Sequence, residues 1–174
     1  MDDLRAIAAW VAECADHVLP LFEAKVPLDA RPREAIAGIR EFANGENRTT
    51  ILRTLFRAAN AAAQEIEAPA ASAAARSAAY AASSAFMHAV YSANQEKHLL
   101  GPAVYAALAR EAESGSDQDA GDHELQWAID HASQEVRRIV GRLPKREPGR
   151  TRLSAPNINW MPDCMADDPE PIQK

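Results

Sequence analysis

Leu4, Ile7, Val11, Cys14, Val18 and Leu21 recur at alternating intervals of three and four residues, which places them on one face of an α-helix, with Trp10 bordering the stripe. Pro20 falls inside this pattern. Proline has no N–H and its ring crowds the carbonyl four residues back, so the helix is expected to kink or end near His17–Leu19. A second helix starts near Pro32 and turns Ile36, Ile39 and Phe42 inward, and Gly45 stands where a left-handed glycine closes a helix. A third begins around Asn47–Thr50, carries Leu52, Leu55, Ala59, Ala62 and Ile66 on one face, and is stopped by "EAPAA" at 67–71. The fourth, about 70–94, is built of small residues as far as Tyr80, then Met87, Val90 and Tyr91. The fifth runs from His98 or Pro102 to Glu113, with Pro102 expected in a first turn, where its missing N–H costs nothing. A polar loop, "SGSDQDAGD" at 114–122, leads to a sixth helix with Leu125, Ile129, Ala132, Val136, Ile139 and Leu143 inward, ended by Pro144.

Beyond Pro144 the helical period is lost and six prolines fall between 144 and 174. The expected organisation is a helical domain over 1–144 and a Pro-rich irregular tail over 145–174, in which "NINWMPD" carries the apolar Ile158, Trp160 and Met161. No strand-type alternation of useful length occurs. The expected fold is all-α: about six helices in antiparallel hairpins, forming a single-domain bundle or a short stack.

Composition sharpens this picture. The 174 residues suffice for one domain with a real core, and apolar residues reach 47% while aromatics reach only 6%. Alanine fills the gap, which favours closely packed helices. No run of about 18 apolar residues appears, so no transmembrane span is expected. Asp2 and Asp3 stand where a signal peptide carries positive charge, which points to a cytoplasmic protein. Cys14 and Cys164 share no short spacing, and Cys14 reads as a reduced core thiol.

The net charge of −6 is uneven: residues 1–136 hold 11 basic and 20 acidic residues, hence −9, while residues 137–152 hold 7 basic and 1 acidic, hence +6. An acidic body argues against nucleic acid as a partner. The basic stretch contains no aromatic residue to stack on bases and reads as a solvated helix end.

The search for chemistry returns little. There is no Gly-x-Ser-x-Gly, no Gly-rich phosphate loop, no Cys-x-x-Cys and no His-Glu-x-x-His, and neither copy of the Glu-x-x-His pair of a di-iron bundle is present. No catalytic residue, metal or cofactor is expected. Five histidines remain: His17, His88, His98, His123 and His131. Glu13, His17, His88 and His98 sit at the edges of apolar stripes, and an alternative reading gathers them between helices as the site of a small-molecule or metal-dependent enzyme.

The segment "DARPREAI" at 29–36 combines a helix start with charge. Arg31 precedes Pro32 and is expected to be extended, with its side chain turned outward. Arg33 and Arg40 are seven apart and share a helical stripe. On structural grounds Arg31 or Arg33 pairs with Glu13, Asp16 or Glu23 of the first helix. The functional reading makes Arg31, Arg33 and Arg40, with Glu13, His17, His88 and His98, part of a partner-facing surface.

The stretch 10–46 resembles the opening of a bacterial family of immunity proteins of polymorphic-toxin systems, through Trp10, Glu13-Cys14-Ala15, "HVLPLFE" at 17–23 and "DARPREAI" at 29–36. A second likeness lies at 88–101, where His88 and His98–Gly101 follow the family pattern but Asn94 stands where the family usually has His; that departure weakens a metal or proton-transfer role for these histidines. The likeness covers roughly 4–113, continues only in style over 124–144 and is absent from the tail. It implies a non-catalytic binding protein that neutralises a cognate toxin by direct protein–protein contact. An acidic helical body suits that role, because many toxins that attack nucleic acid are basic and opposite charge speeds association.

Overall fold

A computed structural model describes residues 2–87 and 93–142, with the backbone alone at 93–97. His88, the boundary at 144 and the expected tail 145–174 lie outside the described residues. Among these there are seven helices and no strand: α1 (Asp2–Glu23), α2 (Arg31–Ala43), α3 (Ile51–Glu65), α4 (Pro69–Ser84), α5 (Ala93–Glu113), α6 (Gln118–Asp130) and α7 (Gln134–Val140).

Consecutive helices from α1 to α6 pack against one another, and α4 sits in the middle, touching α1, α2, α3 and α5. The reason is in its sequence. "AASAAARSAAYAASS" offers almost nothing larger than a methyl or hydroxymethyl group, so four neighbours can approach its backbone, and Ala71, Ala74, Ala75, Ala78, Ala79, Ala81 and Ala82 are fully buried. The bulk of the core comes from the surrounding helices: Val11, Val18, Leu19 and Phe22 of α1, Ile36, Ile39 and Phe42 of α2, Leu99 and Leu100 of α5, Leu125 of α6. Trp10 is buried as well, and its indole N–H donates to the Ala128 carbonyl at 2.8 Å, tying α1 to α6.

Four sequence expectations are corrected. First, α1 does not end near His17–Leu19 but continues through Pro20 to Glu23. The ring of Pro20 lies on the exposed face, while Val18, Leu19 and Phe22 around it are buried. An interior proline costs about 3 kcal/mol, and burying three such side chains at roughly 1.5–3 kcal/mol each outweighs it. The His17 carbonyl beside the missing bond also accepts from Arg110 Nη2 at 3.0 Å. Second, Arg31 is not extended but is the first residue of α2, with Pro32 behind it. Asp29 holds it there, accepting from the Arg31 backbone N–H at 3.1 Å and from its guanidinium at 2.6 and 2.9 Å.

Third, α5 begins at Ala93, so Pro102 is interior to it, while α4 closes at Ser84. Fourth, the expected sixth helix is two. Here α6 starts at Gln118, inside the segment read as loop, with the Asp117 side chain accepting from the Asp119 N–H, and it ends at Asp130. Ser133 then caps α7 by accepting from the Val136 N–H at 3.3 Å. Arg137 donates to the Ala132 and Ile129 carbonyls at 3.1 and 2.7 Å, satisfying the end of α6. The apolar stripe Ile129–Ala132–Val136 stays buried across the break, which is why periodicity runs straight over it.

The end of α2 conforms to expectation. Gly45 has φ +114°, its N–H donates to Phe42, and the Glu46 N–H reaches back to Glu41, the paired bonds of a Schellman closure.

Candidate functional site

The edge of α2 facing α1 is a row of ion pairs. Arg33 donates to Glu23 through Nε at 2.7 Å and Nη2 at 2.6 Å, and Arg40 Nη2 lies 3.0 Å from Asp16. Both partners belong to α1, and Arg33–Glu23 is one of the pairings expected from the sequence. Arg31 differs: it forks between Asp29 and Glu65, with Nη2 2.5 Å from the Glu65 carboxylate, and so ties the α1–α2 turn to the end of α3 rather than to α1. The hydrogen bond from Arg31 holds the Asp29 carboxyl below its ordinary range, and that of Glu65 likewise. The carboxylates in turn raise Arg31 and Arg33.

A second cluster lies where α1, α5 and α6 meet. Its centre is Glu124, with a side chain only 4% exposed. His17 Nδ1 is 2.7 Å from Glu124 Oε1, and since an ionised carboxylate only accepts, the imidazole donates. Arg110 Nε donates to the other oxygen at 3.3 Å, while its Nη1 reaches Glu113 at 3.0 Å and its Nη2 the His17 carbonyl. Both oxygens of the buried carboxylate are thus occupied, which is what keeps a buried charge tolerable. Gly121, one turn earlier on α6, permits the approach to α5: a Cβ there would stand 3.3 Å from the Ala107 carbonyl. The His17 ring stacks on Trp127 at 3.9 Å with planes 5° apart, and Trp127 stacks in turn on His131 at 4.0 Å. His131 Nδ1 donates to the Trp127 carbonyl at 2.8 Å. A shallow depression of about 570 Å³ opens beside this stack, lined by His17, Arg110, Ser114, His123, Glu124 and Trp127. Burial pushes the nearby Cys14 thiol well up, with Glu124 and Glu13 adding to it.

The other histidine of the sequence-derived set sits elsewhere. Ser83 spends its hydroxyl proton on the Tyr80 carbonyl at 2.7 Å, so His98 Nδ1 donates to Ser83 Oγ at 2.8 Å, at the α4–α5 contact. Glu13 is exposed on α1. His17 and His98 therefore have different partners on different helices, and His88 lies outside the described residues. Among the described residues no three His, Cys, Asp or Glu side chains are placed to share a metal ion, and no helix is long and apolar enough to cross a membrane.

Sequence reasoning missed Glu124, Arg110 and Trp127, and named His131 only as one of five histidines. Glu124 and His17 are 107 positions apart, and nothing local couples them. No local signal marks Glu124: the position beside the inward Leu125 points about 100° away round the helix, and Glu124 is buried only once α6 is placed against α1 and α5.

Comparison with known proteins supplies a family. No curated protein and no solved structure matches the chain. A family model described as "Imm-5 like putative immunity protein" matches residues 2–135, further than the motifs at 10–46 and 88–101 alone would reach, and takes in all of α1–α6 and the start of α7. By that match the chain belongs to the Imm-5 like putative immunity protein family.

Proposed function

We propose that this protein neutralises a cognate toxin by binding it directly, with no chemistry of its own. The observation that carries the reading is the family match over 2–135. The charge of the same region supports it: 11 basic against 20 acidic residues give −9 over 1–136, a field that draws in a basic toxin and repels nucleic acid. The arrangement of the titratable groups fits as well. Glu124, His17 and Arg110 satisfy one another and hold helices together, as in a scaffold that presents a surface.

The test is co-expression with each candidate toxin found in the gene neighbourhood of this protein. Growth is expected to be rescued, and the two proteins are expected to co-elute as one complex on size exclusion. Cells that die, with no complex on the column, overturn the proposal.

The enzymatic alternative around Glu13, His17, His88 and His98 draws its support from the His17–Glu124 pair beside an open depression. It requires turnover that His17→Ala abolishes, and a binding protein shows none.

A further inference from the structure

Two successive pairs on α2, Arg33-Glu34 and Arg40-Glu41, repeat after seven residues. On a helix this sorts charge onto two edges. The arginine edge is closed, each arginine bonded to a carboxylate of α1. The glutamate edge is open: no ion pair joins Glu34, Glu41 or Glu46 to any described residue, and all three line a groove of about 730 Å³ between α2 and the start of α3. The floor of that groove is apolar. Ile51, the first residue of α3, is 60% exposed, and among the described residues only Leu28 is a more exposed large aliphatic side chain. Leu55 packs against Gly38, where a Cβ would fall 2.5 Å from Leu55 Cδ1, so the two helices close up here because α2 carries no side chain at that position.

We propose that this groove between α2 and α3 is the surface that receives the toxin, and that it takes a basic amphipathic helical segment of it. The inference rests on the toxin-binding function above and names its site. Glu34 and Glu41 are separated by about 10 Å along the axis at 1.5 Å per residue, the spacing of cations seven residues apart on an opposing helix. Lysine and arginine suit such a groove doubly: their heads meet the rim carboxylates and their aliphatic stems cover Ile51 and Leu55. A phosphate backbone or an anionic lipid surface would instead meet three carboxylates of its own sign. Beneath the groove, the buried Phe42 and Leu52 pack α2 and α3 together, and the Schellman closure at Gly45 ends α2.

The experiment takes the toxin from which this protein rescues cells in the co-expression test and measures its binding to purified variants by calorimetry at low and high salt. Glu34→Lys with Glu41→Lys is expected to weaken the complex about 100-fold and to flatten its salt dependence. The same charge change placed elsewhere, Glu67→Lys with Asp130→Lys, is expected to cost less than about tenfold, the share of the general field. Ile51→Ser is expected to cost about tenfold with little effect of salt. Circular dichroism checks the fold. Should the lysine pair unfold the protein, Glu34→Gln with Glu41→Gln removes the charges without adding cations and is expected to weaken binding about tenfold. If the folded groove variants bind like the wild type while the wild type binds and rescues, the groove is overturned and the toxin-binding function stands. If the wild type itself neither binds nor rescues, the function falls and the groove with it.

Discussion

The arginine edge of α2 and the cluster around Glu124 are built from the same side chains, yet they do different things. On α2 the pairs lie at the surface: the Arg33 side chain is 61% exposed, and Arg40 and Asp16 are both more than two-fifths exposed. Water competes for every charge there, and the attraction barely exceeds the cost of holding two long side chains still. Glu124 has no such alternative. With a side chain 4% exposed, it must find its donors in the protein, and it finds one on α1 and one on α5. The first arrangement decorates a contact that apolar residues already make. The second is a constraint: α6 can dock only where His17 and Arg110 meet the carboxylate.

The sharpest way to break this contrast is to remove the buried carboxylate. Glu124→Ala takes the shared acceptor from His17 and Arg110 and leaves a void between α1, α5 and α6. No buried charge is stranded, since the His17 and Arg110 side chains are 36% and 30% exposed, so the cost is that of the void and the lost hydrogen bonds. Arg110 keeps Glu113 and the His17 carbonyl and is reached by solvent, so the loss is expected at about 2–3 kcal/mol by urea unfolding. Arg110→Ala leaves the buried Glu124 side chain with His17 as its one remaining partner and is expected to cost about 2 kcal/mol. The double variant is expected to cost less than the sum, because both single variants lose the same Arg110–Glu124 contact. Single variants that unfold like the wild type would place Glu124 with the surface pairs.

Arg31 stands between the two extremes. It joins two carboxylates at once, and Asp29 also holds the first N–H of α2, so Arg31→Ala is expected to cost about 0.5–1 kcal/mol at neutral pH. This contribution has a pH window. The folded-state carboxyl of Asp29 titrates below its ordinary value because Arg31 hydrogen-bonds its charged form. The stabilisation is therefore complete above the ordinary aspartate value, about 3.9, and is lost as pH falls through the lowered folded value. Unfolding free energies of wild type and Arg31→Ala are expected to differ at pH 7 and to converge near the acid limit of the native state. A difference that grows on acidification would reverse the sign and remove Asp29 from the account.

Much of the fold was legible because burial here follows helical period. The stripes Leu4–Leu21, Ile36–Phe42 and Leu125–Ile139 each turn inward as their spacing requires, except at their partly covered ends. What period could not show were the places where a local rule meets a tertiary force. Pro20 should break α1, but the buried side chains on either side of it hold the helix. Ser133 breaks α6 from α7 while the apolar stripe runs on undisturbed. The site divides in the same way. Arg33–Glu23 was within reach because it joins neighbouring helices ten residues apart in sequence. Arg31 escaped because its second partner, Glu65, waits at the far end of α3. Glu124 escaped altogether: a single glutamate in an acidic chain carries no mark of burial until α1 and α5 are placed against it.

The smallest expected effects belong to Arg33 and Arg40, and they sharpen the comparison by contrast. Arg33→Ala removes a two-pronged bond with good distances, yet Glu23 is left at the surface, where water solvates it at once. Ile36, Ile39 and Phe42 still bury the inner face of α2 against its neighbours. Neither Arg33→Ala nor Arg40→Ala is therefore expected to move the urea midpoint beyond experimental error, and 0.5 M salt is expected to erase whatever difference remains. The same two variants bear on recognition. With their guanidinium groups turned to α1, they are expected to leave toxin affinity within about threefold of wild type, far from the loss expected on the glutamate edge of the same helix. A large loss of affinity from Arg33→Ala with an unchanged melt would make the arginine edge itself a contact, and α2 would then meet its partner along both sides.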